Sequence, residues 1–283
     1  MRTAAEPAAV AKVFRNIPTD LNRRQALFIE GIRFSIETAD LAYLRLRDTL
    51  IVLGTRETAD PDSPSTASAM LDAWSIIDSL HRLRGLMRNM PGIEKRDRIP
   101  PIRAFFDSTT NVVKLRNTVQ HLDNEIPKVL GDNDWAVLGS LSWGVIDPEK
   151  SQVTSCILLP GMSVGSRPLL NPLNRDIWHL PVDSISIERS GVSVALSDAM
   201  RRVEGLADTM ERMLAETHAN QIASLKRHGA DVTIRLYIRI NPKQIVPDGT
   251  LDPIPELPPE GNASDDSLHP IAQVTVGDRA LSI

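Results

Sequence analysis

The sequence predicts a mainly helical protein: an up-down bundle of long helices with a small antiparallel β element inserted, α+β overall. Three observations lead there. Four stretches carry apolar residues every three or four positions over many turns, each opened or closed by capping residues, glycine or proline. The chain is 42% hydrophobic but only 4% aromatic, so its core has to be built from Leu, Ile, Val, Met and Ala, which suits helix packing. From Gly131 the period changes from that of a helix to that of a strand, with turn residues between the apolar runs.

A chain of 283 residues can bury a sizeable core, as one large domain or two small ones. Its formal net charge is −4, so any surface for nucleic acid has to be local. Cys156 is the single cysteine, which excludes a disulfide framework or a cysteine zinc site within one chain. The first residues contain no apolar secretion core, and no run approaches 18 apolar residues. The expectation is a cytoplasmic protein with no membrane span.

Residues 1–18 read as a flexible arm, and residues 19–130 as the first three helices of the bundle. The first helix starts at the capping pair Thr19-Asp20 and stops at Gly54, with a seam of Phe28, Ile32, Ile36, Ala39, Tyr43, Leu46, Leu50 and Leu53. The second runs from about Ala67 to Met90, with a seam of Met70, Ala73, Ile77, Leu80, Leu83 and Met87. Its other positions, and the segment after it, make residues 80–103 the most basic region, with Arg82, Arg84, Arg88, Lys95, Arg96, Arg98 and Arg103 against Glu94 and Asp97. A solvated helix face explains such a region; so does a phosphate-contacting patch. The third helix is fenced by proline at Pro100 and Pro127, with a seam of Phe105, Val112, Leu115, Val119, Leu122 and Ile126.

Residues 131–195 read as the β insertion. It holds strands at 135–146 and 152–159 joined by a turn at Asp147-Pro148, and a short hairpin at 184–188 and 192–195 through Arg189-Ser190-Gly191. Residues 196–229 complete the bundle with a fourth helix that starts at Ser197-Asp198 and has a seam of Met200, Val203, Ala207, Met210 and Leu214. Residues 230–245 contain a cleanly alternating strand expected to join the insertion. Residues 246–283 form a proline-rich acidic tail, whose last dozen residues are expected to dock as a short strand.

The candidate chemistry lies on the third helix. Asn117 and His121 are one turn apart, and Arg116 lies beside them with a side chain long enough to reach the same groove. An arginine and a histidine so placed can cleave RNA without a metal. The RNA 2′-hydroxyl is an internal nucleophile, imidazole can take its proton or protonate the leaving oxygen, and guanidinium can hold the scissile phosphate. Asn117 can orient either partner. Arg82, Arg84, Arg88 and Lys114 are candidate phosphate contacts. Asp78 and His81, with Arg84 on the same helix, are candidate supporting groups, or else ordinary surface ion pairs.

The run from Arg116-Asn117 to His121 resembles the signature of the HEPN superfamily: arginine, four to six residues, then histidine, commonly with a polar residue directly after the arginine. The resemblance covers residues 20–130 and 196–228, about half the chain. It implies a compact helical bundle, a metal-independent endoribonuclease without a cofactor, and a homodimer whose two motifs meet in one groove. It further implies roles as a toxin or in antiviral defence, and hence RNA and a regulatory protein as partners. The β insertion and tail depart from a minimal domain of this kind.

A second pair, Arg212 and His218, has five residues between its members, but apolar Met213 follows the arginine. Cys156 is expected to be a buried thiol, and Trp74, Trp135 and Trp143 are expected to be core anchors. A rival from another class is a non-catalytic helical scaffold that dimerises and binds a partner protein through the β insertion and tail. A third option is a nucleotide sensor using the same groove.

Overall fold

The computed structural model describes residues 14, 17–18, 21–55, 65–93, 98–120, 123, 137–147, 149, 152–160, 180–222, 273–276 and 279–282. The chain divides into two compact units, Met1–His228 and Gly229–Ile283. The first unit is mostly helical and carries one four-stranded antiparallel sheet.

Two long helices form its frame, α1 (Arg23–Thr55) and α2 (Ser65–Asn89), packed against each other along their length. The seam predicted for α2 is buried at every position. In α1, Ile32, Ile36, Ala39, Tyr43, Leu46 and Leu50 are buried as expected, whereas Phe28 and Leu53 are only partly covered. The two helices are also tied by a 3.0 Å ion pair between exposed Arg45 and buried Asp72. Gly54 does not stop α1, which runs on to Thr55. A methyl group at Gly54 would overlap Val145 Cγ2 and lie 3.1 Å from Trp143 Nε1, so the residue is small because the helix is seated directly on the sheet.

The predicted third helix is two helices, α3 (Pro100–Ser108) and α4 (Val112–Gln120). The break follows from the run Ser108-Thr109-Thr110-Asn111, whose side chains compete for backbone partners. Thr109 Oγ1 donates to Phe105 O at 2.6 Å, Thr110 Oγ1 donates to Phe106 O and Asp107 O, and Asn111 Nδ2 reaches across to Ser193 O at 3.0 Å. The apolar face survives the break because Phe105 and Val112 are seven residues apart; both are buried, as is Leu115, while Val119 is half-buried. The predicted continuation towards Pro127, with Leu122 and Ile126, lies outside the described residues.

The sheet has the order β2-β1-β3-β4, with β1 at Ser140–Asp147, β2 at Gln152–Leu158, β3 at Val182–Arg189 and β4 at Val192–Ala195. All pairings are antiparallel. The β3–β4 turn places Ser190 at φ 50° and Gly191 at φ 73°, the two left-handed positions of a tight hairpin. Helix α5 (Leu196–Ile222) follows at once and packs against β3 and α3. Its predicted seam is buried at Met200, Val203, Met210 and Leu214. Ser197, expected as a cap, instead joins three elements: Tyr43 Oη donates to its Oγ at 2.9 Å, and the Ile185 amide donates to the same oxygen at 3.0 Å.

Trp143 is buried in the core. Trp74 is half-buried and donates from Nε1 to Leu138 O at 3.2 Å. Cys156 is half-buried at the α1–sheet contact rather than sealed, and burial pushes its thiol pKa up. Trp135 and the strand predicted at 230–245 lie outside the described residues. In the second unit, the expected single C-terminal strand is a two-stranded antiparallel hairpin, β5 (Gln273–Val276) with β6 (Arg279–Ser282).

Candidate functional site

Arg116 is positioned from two sides. Its Nε donates to Asp78 Oδ1 on α2 at 2.9 Å, and its Nη1 donates to Gln120 Oε1, one turn further along α4, at 2.7 Å. A guanidinium has five N–H donors, so these two bonds do not exhaust it. The side chain is 25% exposed and forms part of the wall of an open groove of about 660 Å³.

Three elements build that groove. Helix α1 supplies Phe28, Gly31 and Phe34, α2 supplies His81, Arg82 and Gly85, and α4 supplies Arg116. Gly31 and Gly85 carry no side chain where the two long helices face each other, which leaves room between the flanking rings and cations. The Gly31 position is tight, since a Cβ there would come within 3.1 Å of Leu86, whereas Gly85 opens onto free space.

His81 is half-buried in this wall. Its pKa is held below the ordinary histidine value, first by partial burial and then by the neighbouring Arg116 charge, with Asp78 opposing. Both causes favour the neutral imidazole over the charged form. Asp78, His81 and Arg116 thus form one cluster across two helices. For Asp78 this combines both sequence expectations: it makes an ion pair, and the pair aims Arg116 at the groove.

The other predicted residues separate. Arg82 is exposed on the groove wall, with Nη2 donating to Ser79 Oγ at 3.3 Å. Arg84 is not available to RNA. It is a buried residue whose Nη1 donates to Phe106 O at 2.5 Å and Thr109 Oγ1 at 2.6 Å, and its guanidinium lies over the Phe106 ring. Its role is to satisfy the carbonyl and hydroxyl left at the α3–α4 break. A buried arginine and an exposed one look alike in a sequence when they are two positions apart. Arg88 and Lys114 are exposed but are not among the groove's walls. Lys114 is about 200° around α4 from Arg116. Asn117 is exposed on α4. His121 lies outside the described residues.

No known protein family matches the chain, and neither a characterised protein nor a solved structure does.

Phe28, Gly31 and Phe34 were not legible as groove residues. Phe28 fitted the apolar seam, and Phe34 fell off it. The available signal was an apolar aromatic at an off-seam position in a chain with only five phenylalanines. The second arginine–histidine pair does not form a comparable site: Arg212 is exposed, donates to Thr209 Oγ1 at 3.5 Å, and His218 sits at a kink with φ −122° and ψ 24°. Among the described residues no group of three or more His, Cys, Asp or Glu converges as metal ligands do. No helix among them is long and apolar enough to cross a membrane.

Proposed function

We propose that the protein is a HEPN-like endoribonuclease that works without a metal, with Arg116 and His121 carrying the reaction and Asn117 supporting them. The observation that supports this reading is the aiming of Arg116, through Asp78, into an open groove that also holds His81 and Arg82. In this reading the imidazole of His121 takes the proton of an RNA 2′-hydroxyl as its oxygen attacks the adjacent phosphorus. Arg116 holds the phosphate oxygens as negative charge builds on them. The bond to the 5′-oxygen breaks, that oxygen takes up a proton from water, and the products are a 2′,3′-cyclic phosphate and a 5′-hydroxyl. Arg82 adds a phosphate contact, and neutral His81 supplies a second proton-accepting group in the same wall. The homodimer, the defence or toxin role and the regulatory protein partner belong to this reading through the resemblance.

The test is cleavage of total RNA and tRNA in EDTA by the wild type, Arg116→Ala and His121→Ala. The expected outcome is cutting by the wild type, cyclic-phosphate ends, and a loss of at least about a hundredfold in either variant with folding intact. No cutting by the wild type would favour the rival scaffold reading.

That rival has its own observation. Leu27, Phe34 and Leu41 recur every seven residues on α1 and are 58%, 44% and 59% exposed, the pattern of a seam for another helix. Sedimentation velocity run beside the cleavage assay separates the two: in the scaffold reading Leu41→Glu abolishes self-association and the wild type cuts no RNA.

A further inference from the structure

The groove is bordered at Phe28 and Leu86 by a surface that the cleavage chemistry does not use. A second depression of about 460 Å³, lined by Arg23, Arg24, Leu27, Phe28 and Leu86, shares Phe28 and Leu86 with the first. The two cavities thus adjoin across the Phe28 and Leu86 side chains, with Arg82 and Arg116 in one and Arg23 and Arg24 in the other.

The ring of Phe34 faces the first cavity. It is 44% exposed although aromatic and apolar. The Arg33 guanidinium lies 4.0 Å from the ring centre and is itself held by Glu37 at 3.1 Å. A ring so fixed loses little freedom when a second planar group is laid against it. The ring offers stacking to any base, without sequence preference.

From these features we infer that the two adjoining cavities bind an unpaired strand, one base stacked on Phe34 with its phosphate at Arg82 and Arg116, and a phosphate further along the strand at Arg23 and Arg24, about 15 Å away along α1. The ligand class is single-stranded nucleic acid. A duplex keeps its bases stacked on each other and has no free face to offer Phe34. The inference rests on the nucleic-acid reading of the groove but not on cleavage.

The test uses a short fluorescently labelled 2′-deoxy oligonucleotide, which has no 2′-hydroxyl and cannot be cut, and reads binding by anisotropy. Phe34→Ala is expected to weaken binding by about tenfold to a hundredfold, since stacking of one base on an aromatic side chain contributes on that order. Phe34→Trp is expected to keep the affinity and to show quenching of its indole emission at saturation. Arg23→Ala with Arg24→Ala is expected to weaken binding while leaving that quenching in place. The same sequence as a duplex is expected to compete poorly. Wild-type affinity in Phe34→Ala, or equal competition by the duplex, overturns the inference. So does a change in oligomeric state of Phe34→Ala by light scattering with oligonucleotide affinity unchanged, which would assign the ring to a protein seam. Because the probe cannot be cleaved, binding without RNase activity upholds this inference while removing the nuclease.

Discussion

His81 and Asp40 show how the same burial acts oppositely on a base and an acid. Partial burial and Arg116 hold His81 below its ordinary pKa, so between that depressed value and about 6.5 the unfolded chain binds more protons than the folded one. Stability therefore falls as pH drops through this window. An NMR titration of His81 is expected to show a midpoint below 6.5, moving up in Arg116→Ala but not fully, because the larger cause, burial, remains. Asp78→Asn should move it further down. Asp40 goes the other way. Burial, then Glu204 and Glu37, push its carboxyl up to about 7. The folded state holds that proton between about 3.8 and 7, so stability is lost as pH rises through the window. Asp40→Asn is expected to stabilise the protein at pH 8 by as much as about 4 kcal/mol, at 1.36 kcal/mol per pKa unit, and the gain should shrink steadily towards pH 4 in chemical denaturation. None of this was visible in the sequence. Asp40 directly follows the seam residue Ala39, and its carboxylate neighbour Glu204 is 164 positions away, on a helix whose packing only the fold decides.

At the scale of elements, the periodic seams were legible because a helix repeats its buried face with a fixed period, as Met70, Ala73, Ile77, Leu80, Leu83 and Met87 show. The break between α3 and α4 was not, because Phe105 and Val112 keep the same face on either side of it. Local competition by hydroxyls outweighed a period that continued unbroken. Arg84 is the structural answer to that break, and its replacement should be costly. Arg84→Ala is expected to destabilise by about 2–4 kcal/mol in urea denaturation, since it leaves the buried Thr109 hydroxyl without its donor, removes one of two donors to Phe106 O and opens a cavity. Arg82→Ala, two positions away and exposed, should stay within about 0.5 kcal/mol. Gly54 was read as a stop signal. Its small size serves a contact with a sheet that begins 86 residues later, at Ser140, so the residue was noticed and its reason was out of reach. Gly54→Ala is expected to cost about 1–3 kcal/mol by overpacking against Val145.

For the whole molecule, a net charge of −4 means that polyanion binding has to come from a local field. If Arg82 with Arg116 and Arg23 with Arg24 each hold one phosphate, the logarithm of the binding constant should fall with the logarithm of salt concentration at a slope of about −1.4, from about −0.7 per phosphate on a single strand. A slope near zero in the oligonucleotide titration would mean that the arginines make no phosphate contacts. Of the second-helix cations that the sequence singled out, Arg82 lines the groove, Arg84 is buried and Arg88 lies off it. Arg116 was named from the sequence, but the cations of the first turn of α1, Arg23 and Arg24, were missed, because cations that converge in space are scattered along the chain.

The seat of α1 on the sheet has a mechanical consequence. Phe34 lies 20 residues from Gly54, about 30 Å along a continuous helix. At the far end there is no side chain between the helix backbone and Val145 to absorb displacement. With that contact as fulcrum, a tilt of only about 2° carries Phe34 through about 1 Å, a third of a hydrogen-bond length. The angle at which α1 sits on β1 therefore sets the position of the groove's aromatic wall.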